Sequence, residues 1–461
     1  MNRRSAIWLA GALALSACAT APVDLSAVEA EASRFQGDVP GVWPSDLSGA
    51  PAPVDWIGAF NDPQLTDLVA QALAYNSDLS QAEARRDRAL AQLRAARAAR
   101  FPTLTVAGRG REASAFDNSE GTAGYSAALT ASYEVDVWGR LAQAQADRAS
   151  AFEAAGADLE AARRLLASSV FQAYIAAIEA RAQTRVLREI LERSAETLGF
   201  IEVQFDRGLR SGRDLALIRA DVETTRSSVI AAQNAERDAL RALEILIGRY
   251  PNLSTELGVS QPALPEMTGL GVPGEILQSR PDLVAAKARL EAALARGKGA
   301  RAARRPRINV AAALDRSAMS LADLADPGAW AAARLADFSA PVFDAGRLEA
   351  GVDLADADTR EAAAAYESAV RSAFLEVETA LDETAALQLQ EAAIRRALNE
   401  AEQAFRFTQF NYDNGAGDLL DVLSLQQRVA SLQSAAARIE RQRLQQFAVL
   451  ALAVGADPRP R

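Results

Sequence analysis

A chain of 461 residues, 49% of them apolar, can bury a sizeable core, and its net charge of −10, from 60 acidic and 50 basic residues, argues against wrapping nucleic acid through phosphate contacts. It has no histidine and one cysteine, Cys18, which excludes imidazole acid–base chemistry, Cys/His zinc sites, cysteine–histidine dyads and internal disulfides. No cofactor and no catalysis are expected; aromatics are only 6%, a balance that suits long, closely approaching helices.

Residues 1–17 read as a secretory signal, with basic Arg3 and Arg4, an apolar run from Ala6 to Leu15, and the ending Leu15-Ser16-Ala17-Cys18. Small residues before a cysteine resemble a lipobox, so Cys18 is the expected lipidation site and the first mature residue. Loss of Arg3 and Arg4 leaves 48 basic against 60 acidic residues, a net charge of −12. Position 19 is alanine rather than aspartate, which by resemblance to the lipoprotein sorting rule sends the chain to the outer membrane. Nothing further along approaches the roughly 18–20 apolar residues of a transmembrane helix, so any span is made of strands.

Six of the 17 prolines fall between Pro22 and Pro63, which predicts an extended leader over 18–55. Leu141 to Tyr250 and Val342 to Asp457 contain no proline, and apolar steps of three and four (Leu187, Leu191, Leu198, Ile201, Phe205; Ile394, Leu398, Ala401, Phe405) predict long amphipathic helices. One helix over 142–206 is about 98 Å long at about 1.5 Å per residue, which requires a coiled coil or a helical tube. Before it the period changes to two. Tyr125, Ala127, Leu129, Ala131, Tyr133, Val135 and Val137 share one face, and Ser126, Thr130, Ser132, Glu134 and Asp136 the other. The partner strand begins near Thr103, with the loop at Glu112 to Ala123. Ile308, Val310, Ala312 and Leu314 alternate likewise; after a loop at Ser317 to Trp330, Ala332 to Phe343 alternates loosely. Four strands cannot enclose water, so closure needs several copies of the chain.

An internal repeat organises these elements. Asp78-Leu79 recurs as Asp282-Leu283 and Pro102 as Pro306, at a shift of 204. Gly139-Arg140-Leu141 recurs as Gly346-Arg347-Leu348, Gly208 as Gly415, Asp214 as Asp421 and Gly248 as Gly455, at a shift of 207. The expected parts are a signal (1–17), a leader (18–55), a first repeat (56–250), an inter-repeat segment (251–274), a second repeat (275–456) and a short tail (457–461). Gly139 and Gly346 mark strand-to-helix junctions, where Asp136 and Asp344 are placed to cap helices. Gly208 and Gly415 mark turns between long helices.

Trp56-Ile57-Gly58-Ala59-Phe60-Asn61-Asp62-Pro63-Gln64-Leu65, Asp136-Val137-Trp138-Gly139-Arg140 and Arg280-Pro281-Asp282-Leu283, in this order on the duplication, resemble the TolC-like outer-membrane efflux protein family, and within it the acylated NodT-type members. The resemblance implies a mainly α fold with a small β part. A homotrimer would complete a twelve-strand barrel in outer-membrane lipid and a long α-helical barrel in the periplasm, girdled by shorter helices that include 251–274. It implies an exit duct for small amphipathic compounds, served by a periplasmic membrane-fusion adaptor and an inner-membrane RND-type pump. Adaptor docking falls at the tips Arg207-Gly208-Leu209 and Asn414-Gly415-Ala416. The periplasmic gate falls at Asp421, with Asp214 its counterpart; the family's second gate aspartate falls at Ser424 and its arginine latch at Gly417. An exit duct for one-step protein secretion, or a lipid-anchored periplasmic coiled-coil scaffold without a pore, are the alternative readings.

Overall fold

The computed structural model describes residues 55–113, 122–258, 260–265, 276–326 and 330–459. Two compact units emerge. One holds Arg88–Ala154 and Ala286–Ser368; the other holds the described part of Val39–Asp87 with Ala155–Ala285 and Ala369–Arg461. The order of elements is α1 (Pro63–Tyr75), α2 (Ser77–Ala98), β1 (Thr103–Ala113), β2 (Thr122–Val135), α3 (Arg140–Asp206), α4 (Gly212–Leu246), α5 (Ile276–Ser279), α6 (Pro281–Ala303), β3 (Arg307–Ala318), α7 (Leu321–Leu324), β4 (Ala331–Ser339), α8 (Arg347–Asp413) and α9 (Leu419–Ala453). The helices α3 and α8 have 67 residues each, and α4 and α9 have 35 each. At about 1.5 Å per residue the longer pair measures about 100 Å.

The tryptophan motif owes its composition to packing. Trp56 is fully buried, with its ring edge-on to Phe171 at 5.4 Å and to Phe60 and Phe447 at 6.4 Å, which ties the N-terminal segment to α3 and α9. Asp62 caps α1 through the amides of Gln64 (3.0 Å) and Leu65 (3.1 Å) and accepts the Tyr174 hydroxyl at 2.8 Å. Burial, then Asp62, pushes the Tyr174 phenol well above its ordinary value. In the Arg-Pro-Asp-Leu motif, Arg280 grips Asp282 and Glu376, each at 2.7 Å, and the Ala453 carbonyl at 3.2 Å.

The strands form one antiparallel sheet in the order β1-β2-β3-β4, so the hairpins of the two repeats meet at β2 and β3. Register puts Val106, Leu129 and Leu314 in one row, Tyr133, Val310 and Ala336 in another, and Val135, Ile308 and Phe338 in a third. Thr103 and Ser132, and Glu134, Asn309 and Asp337, lie on the opposite face. The apolar face is uncovered: Val106 is 78% exposed and Phe338 68%. Among the described residues, the short α7 makes a small contact with β2 and β3 and leaves the rest of the sheet open. Such a sheet needs a further apolar partner to persist.

Several boundaries differ from expectation. The first hairpin is tighter than Glu112 to Ala123, because β1 continues to Ala113 and β2 begins at Thr122. The second loop begins after Ala318 and contains α7. Strand β4 ends at Ser339 rather than near Phe343, since Pro341 has no amide for a ladder. Within the inter-repeat segment, 251–258 and 260–265 contain neither helix nor strand, and 259 and 266–274 lie outside the described residues. Pro251, Pro262 and Pro265 oppose a helix there, and the fully buried Glu244 of α4 gathers the chain instead. Its carboxylate accepts the amides of Leu253 (2.8 Å), Ser254 (2.7 Å) and Thr255 (3.1 Å) and the Thr255 hydroxyl (3.2 Å).

Candidate functional site

At each strand-to-helix junction an aspartate and a left-handed glycine turn the chain. Asp136 accepts the amides of Leu141 (3.0 Å) and Ala142 (2.7 Å) at the start of α3, and Asp344 accepts that of Leu348 (3.0 Å) at the start of α8. Gly139 has φ +76° and Gly346 has φ +82°, with open space around both, so backbone conformation rather than crowding calls for glycine. The first junction is closed further by Arg140, which pairs with Glu134 at 2.7 Å, and by the Trp138 indole N–H, which donates to the Pro306 carbonyl at 2.8 Å.

Each long hairpin turns in the same way at its other end. The amides of Gly208 and Leu209 bond to the carbonyls of Phe205 (2.8 Å) and Gln204 (2.9 Å); those of Gly415 and Ala416 bond to Tyr412 (3.0 Å) and Asn411 (2.9 Å). Both are Schellman closures around a left-handed glycine. Arg207, Gly208, Leu209, Asn414, Gly415 and Ala416 are all exposed, and Leu209 is 68% so. Behind the turns, Ile201, Leu215 and Ile218 of the first hairpin share one core with Tyr412, Leu419 and Val422 of the second. The two tips of one chain are therefore a packed pair.

The returning helices start differently. Ser211 caps α4 by accepting the Asp214 amide (3.2 Å), while the Asp214 carboxylate accepts the Ser211 amide (3.4 Å), a reciprocal capping box. On α9 the cap is Asp418, whose carboxylate accepts the Leu420 amide at 3.0 Å. Asp421 is left exposed, with no hydrogen bond or ion pair from its carboxylate to any described residue. Ser424, also exposed, turns its hydroxyl to the Asp421 carbonyl at 2.9 Å. Gly417 is favoured by close approach: a Cβ there would lie a tight 3.0 Å from the Tyr412 nitrogen and 3.2 Å from its Cα.

Sequence reasoning overlooked Tyr412 and Arg210. The Arg210 guanidinium, fixed by Gln204 at 2.8 Å, lies 4.5 Å over the Tyr412 ring and ties one turn to the other. Tyr412 is 4% exposed and its hydroxyl has no hydrogen-bond partner among the described residues. Burial pushes its phenol up, against the charge of Arg210. Nothing local announces this pair, which is brought together by folding. Cys18 lies outside the described residues. Among those described, no cluster of Cys, Asp or Glu is placed to hold a metal, and no helix is long and apolar enough to cross a membrane.

A duplicated helix–hairpin–helix chain that presents an uncovered four-strand sheet defines a membrane-associated channel subunit. The chain belongs to the outer membrane efflux protein family, matched over residues 68–249 and 272–456. It is an outer-membrane efflux channel protein and not an enzyme. It is 30% identical to the pyoverdine export outer membrane protein OpmQ of Pseudomonas aeruginosa, over 99% of this chain and 97% of that one. It is also 30% identical to the cation efflux system protein CusC of Escherichia coli (80% and 81%) and 29% identical to the probable outer membrane lipoprotein SilC of Salmonella typhimurium (82% of each). A solved structure of CusC, from work on folding and transmembrane channel formation, superimposes with a TM-score of 0.80 at 27% identity, covering 90% of this chain and all of that one.

Proposed function

We propose that three copies of this chain form the exit duct of a tripartite efflux system, passively passing small amphipathic compounds from an inner-membrane RND-type pump, through a periplasmic membrane-fusion adaptor, to the exterior. The observation that carries this reading is the sheet. Its edges, β1 and β4, have no partner among the described residues, and its apolar face is bare. Lipid tolerates strands only when their backbone groups are paired in a closed barrel, and three four-strand sheets joined β4 to β1 make one of twelve. Acylated Cys18 adds an anchor on the periplasmic side, in keeping with the resemblance to a probable lipoprotein.

In the trimer, the exposed tips dock the adaptor. Asp421 forms a three-carboxylate ring at the narrow end of the tunnel, Asp214 contributes less, and the Arg210–Tyr412 packing holds each pair of tips together. Cargo is not written in such a lining: the relatives' names speak of pyoverdine in one case and cations in another. The test is the native mass of the detergent-purified protein together with planar-bilayer recording. A trimer that inserts and conducts is expected; a monomer, or a trimer without conductance, overturns the reading.

A further inference from the structure

Basic residues next to the sheet are distributed in a way that conduction does not use. Between Asp87 and Glu112 lie six arginines and no carboxylate; between Glu291 and Asp315 lie five arginines, one lysine and no carboxylate. Inside both windows, just before the strand, stands the same motif, Arg97-Ala98-Ala99-Arg100-Phe101-Pro102 and Arg301-Ala302-Ala303-Arg304-Arg305-Pro306, at the shift of 204. A chain with more acid than base has twice excluded acid from this place.

Some of the second window's cations are matched by facing helices. Arg301 lies 2.7 Å from Asp356, and Arg296 lies 3.4 Å from Asp147 and 3.5 Å from Asp358. Matching stops where helix becomes strand. Arg97, Arg100, Arg304 and Arg305 are exposed, and none forms an ion pair with a described residue. Arg100 reaches only the Gln145 amide oxygen, at 2.8 Å, while Arg305 lies 5.7 Å over the Trp138 ring. Trp138 is 49% exposed and Phe101 68%.

Arg100, Arg304 and Arg305 stand two or three residues before the first residues of β1 and β3. At about 3.3 Å per residue that is within about 10 Å of the sheet's end, close to the roughly 5–8 Å depth of a headgroup layer. An exposed tryptophan belongs at that depth, and guanidinium forks match phosphate oxygens. We propose that this junction binds the phosphate diesters of anionic glycerophospholipids in the periplasmic leaflet, with Arg304 and Arg305 as the principal ligands and Trp138 holding Arg305 in place. The inference rests on the barrel reading above. Charge complementarity and the adjoining bare apolar strands favour lipid over the other occupant of such a surface, a carboxylate of a neighbouring copy.

The test is native mass spectrometry of the full-length trimer titrated with phosphatidylglycerol or phosphatidylcholine, with bilayer conductance read on the same samples. Wild type is expected to retain phosphatidylglycerol with roughly tenfold or greater preference. The double variant Arg304→Gln/Arg305→Gln is expected to bring the preference to within about twofold while conductance persists. Arg88→Gln, which removes one such charge about 15 Å before the end of α2, is expected to change neither. The proposal is overturned if the double variant keeps its full preference. It is equally overturned if that variant falls to monomers while the surviving trimers select lipid as before, because the arginines then seat on a neighbouring copy. Wild type that selects lipid but does not conduct would instead count against the channel reading.

Discussion

Replacing Glu244 by glutamine changes one atom of a buried carboxylate that holds three consecutive amides. Its Oε1 accepts Ser254 and Thr255, the latter through both amide and hydroxyl, and its Oε2 accepts Leu253. Glutamine can keep a carbonyl oxygen at the first position, but its NH2 then faces the Leu253 amide, donor against donor. One charge-assisted bond is lost, about 1.5–3 kcal/mol, and the part-buried Leu253 amide left unpaired costs up to about 1–3 kcal/mol. The two overlap, so Glu244→Gln is expected to weaken the anchoring of 253–255 by about 2–4 kcal/mol, or about 30- to 1000-fold faster amide exchange at neutral pH. Acid provides a second arm. Burial alone pushes the Glu244 carboxyl up, but the amides of Leu253, Thr255 and Ser254 and the Thr255 hydroxyl outweigh it and hold the carboxyl below its ordinary range. Because the folded value is the lower one, the contribution is intact above the ordinary glutamate range and is lost as pH falls through the folded value. Wild-type melting should fall across that window, and the glutamine variant should lack this component. Exchange at 253–255 within about threefold of wild type would refute the reasoning.

Asp421→Ala should reduce cation preference and blunt block by divalent cations in single-channel recordings, and Asp214→Ala should do so less; unchanged selectivity in Asp421→Ala would make this carboxylate a solvated helix face. Gly417→Ala forces its Cβ against the Tyr412 backbone at a cost of about 1–3 kcal/mol, so it should lower the melting temperature and raise the open fraction, and wild-type values for both would end the argument. Intact-mass analysis should find an acylated Cys18 at the mature N-terminus, whereas a free thiol or cleavage elsewhere removes the anchor.

Local backbone demands were legible in the sequence. Gly139, Gly208 and Gly248 and their counterparts at a shift of 207 are the six glycines with positive φ among the described residues, and a left-handed turn is a requirement that one residue carries alone. Strands β1, β2 and β3 were readable for a similar reason, since a bare apolar face imposes strict alternation. In β4 Arg334 falls in the apolar row and Leu335 on the opposite face, so its pattern was blurred. Contacts made by irregular chain, near or far in sequence, left no periodic trace. The Glu244 cradle reads only as one more acidic helix residue, and Arg210 over Tyr412 joins residues about two hundred positions apart.

The two tips show how a duplicated chain acquires unequal ends. Both hairpins keep the Schellman closure and the aspartate six residues after the glycine, so both inherited a carboxylate in the first turn of the returning helix. The difference lies three residues earlier. A serine cap leaves its own amide to be satisfied by the residue three positions on, which draws the Asp214 carboxylate back onto the Ser211 backbone. At the second tip the Asp418 carboxylate likewise accepts a helix amide, that of Leu420, but Asp421 makes no reciprocal contact with the Asp418 backbone. Gly417, next to that cap, lies close against the Tyr412 backbone, and the Tyr412 ring is buried under Arg210. The second tip thus combines a locked turn with a free carboxylate, whereas the first spends its carboxylate on capping. In a threefold assembly that distinction separates three available charges from three committed ones, which is why the asymmetry between Asp421 and Asp214 follows from the residues beside them rather than from their position in the repeat.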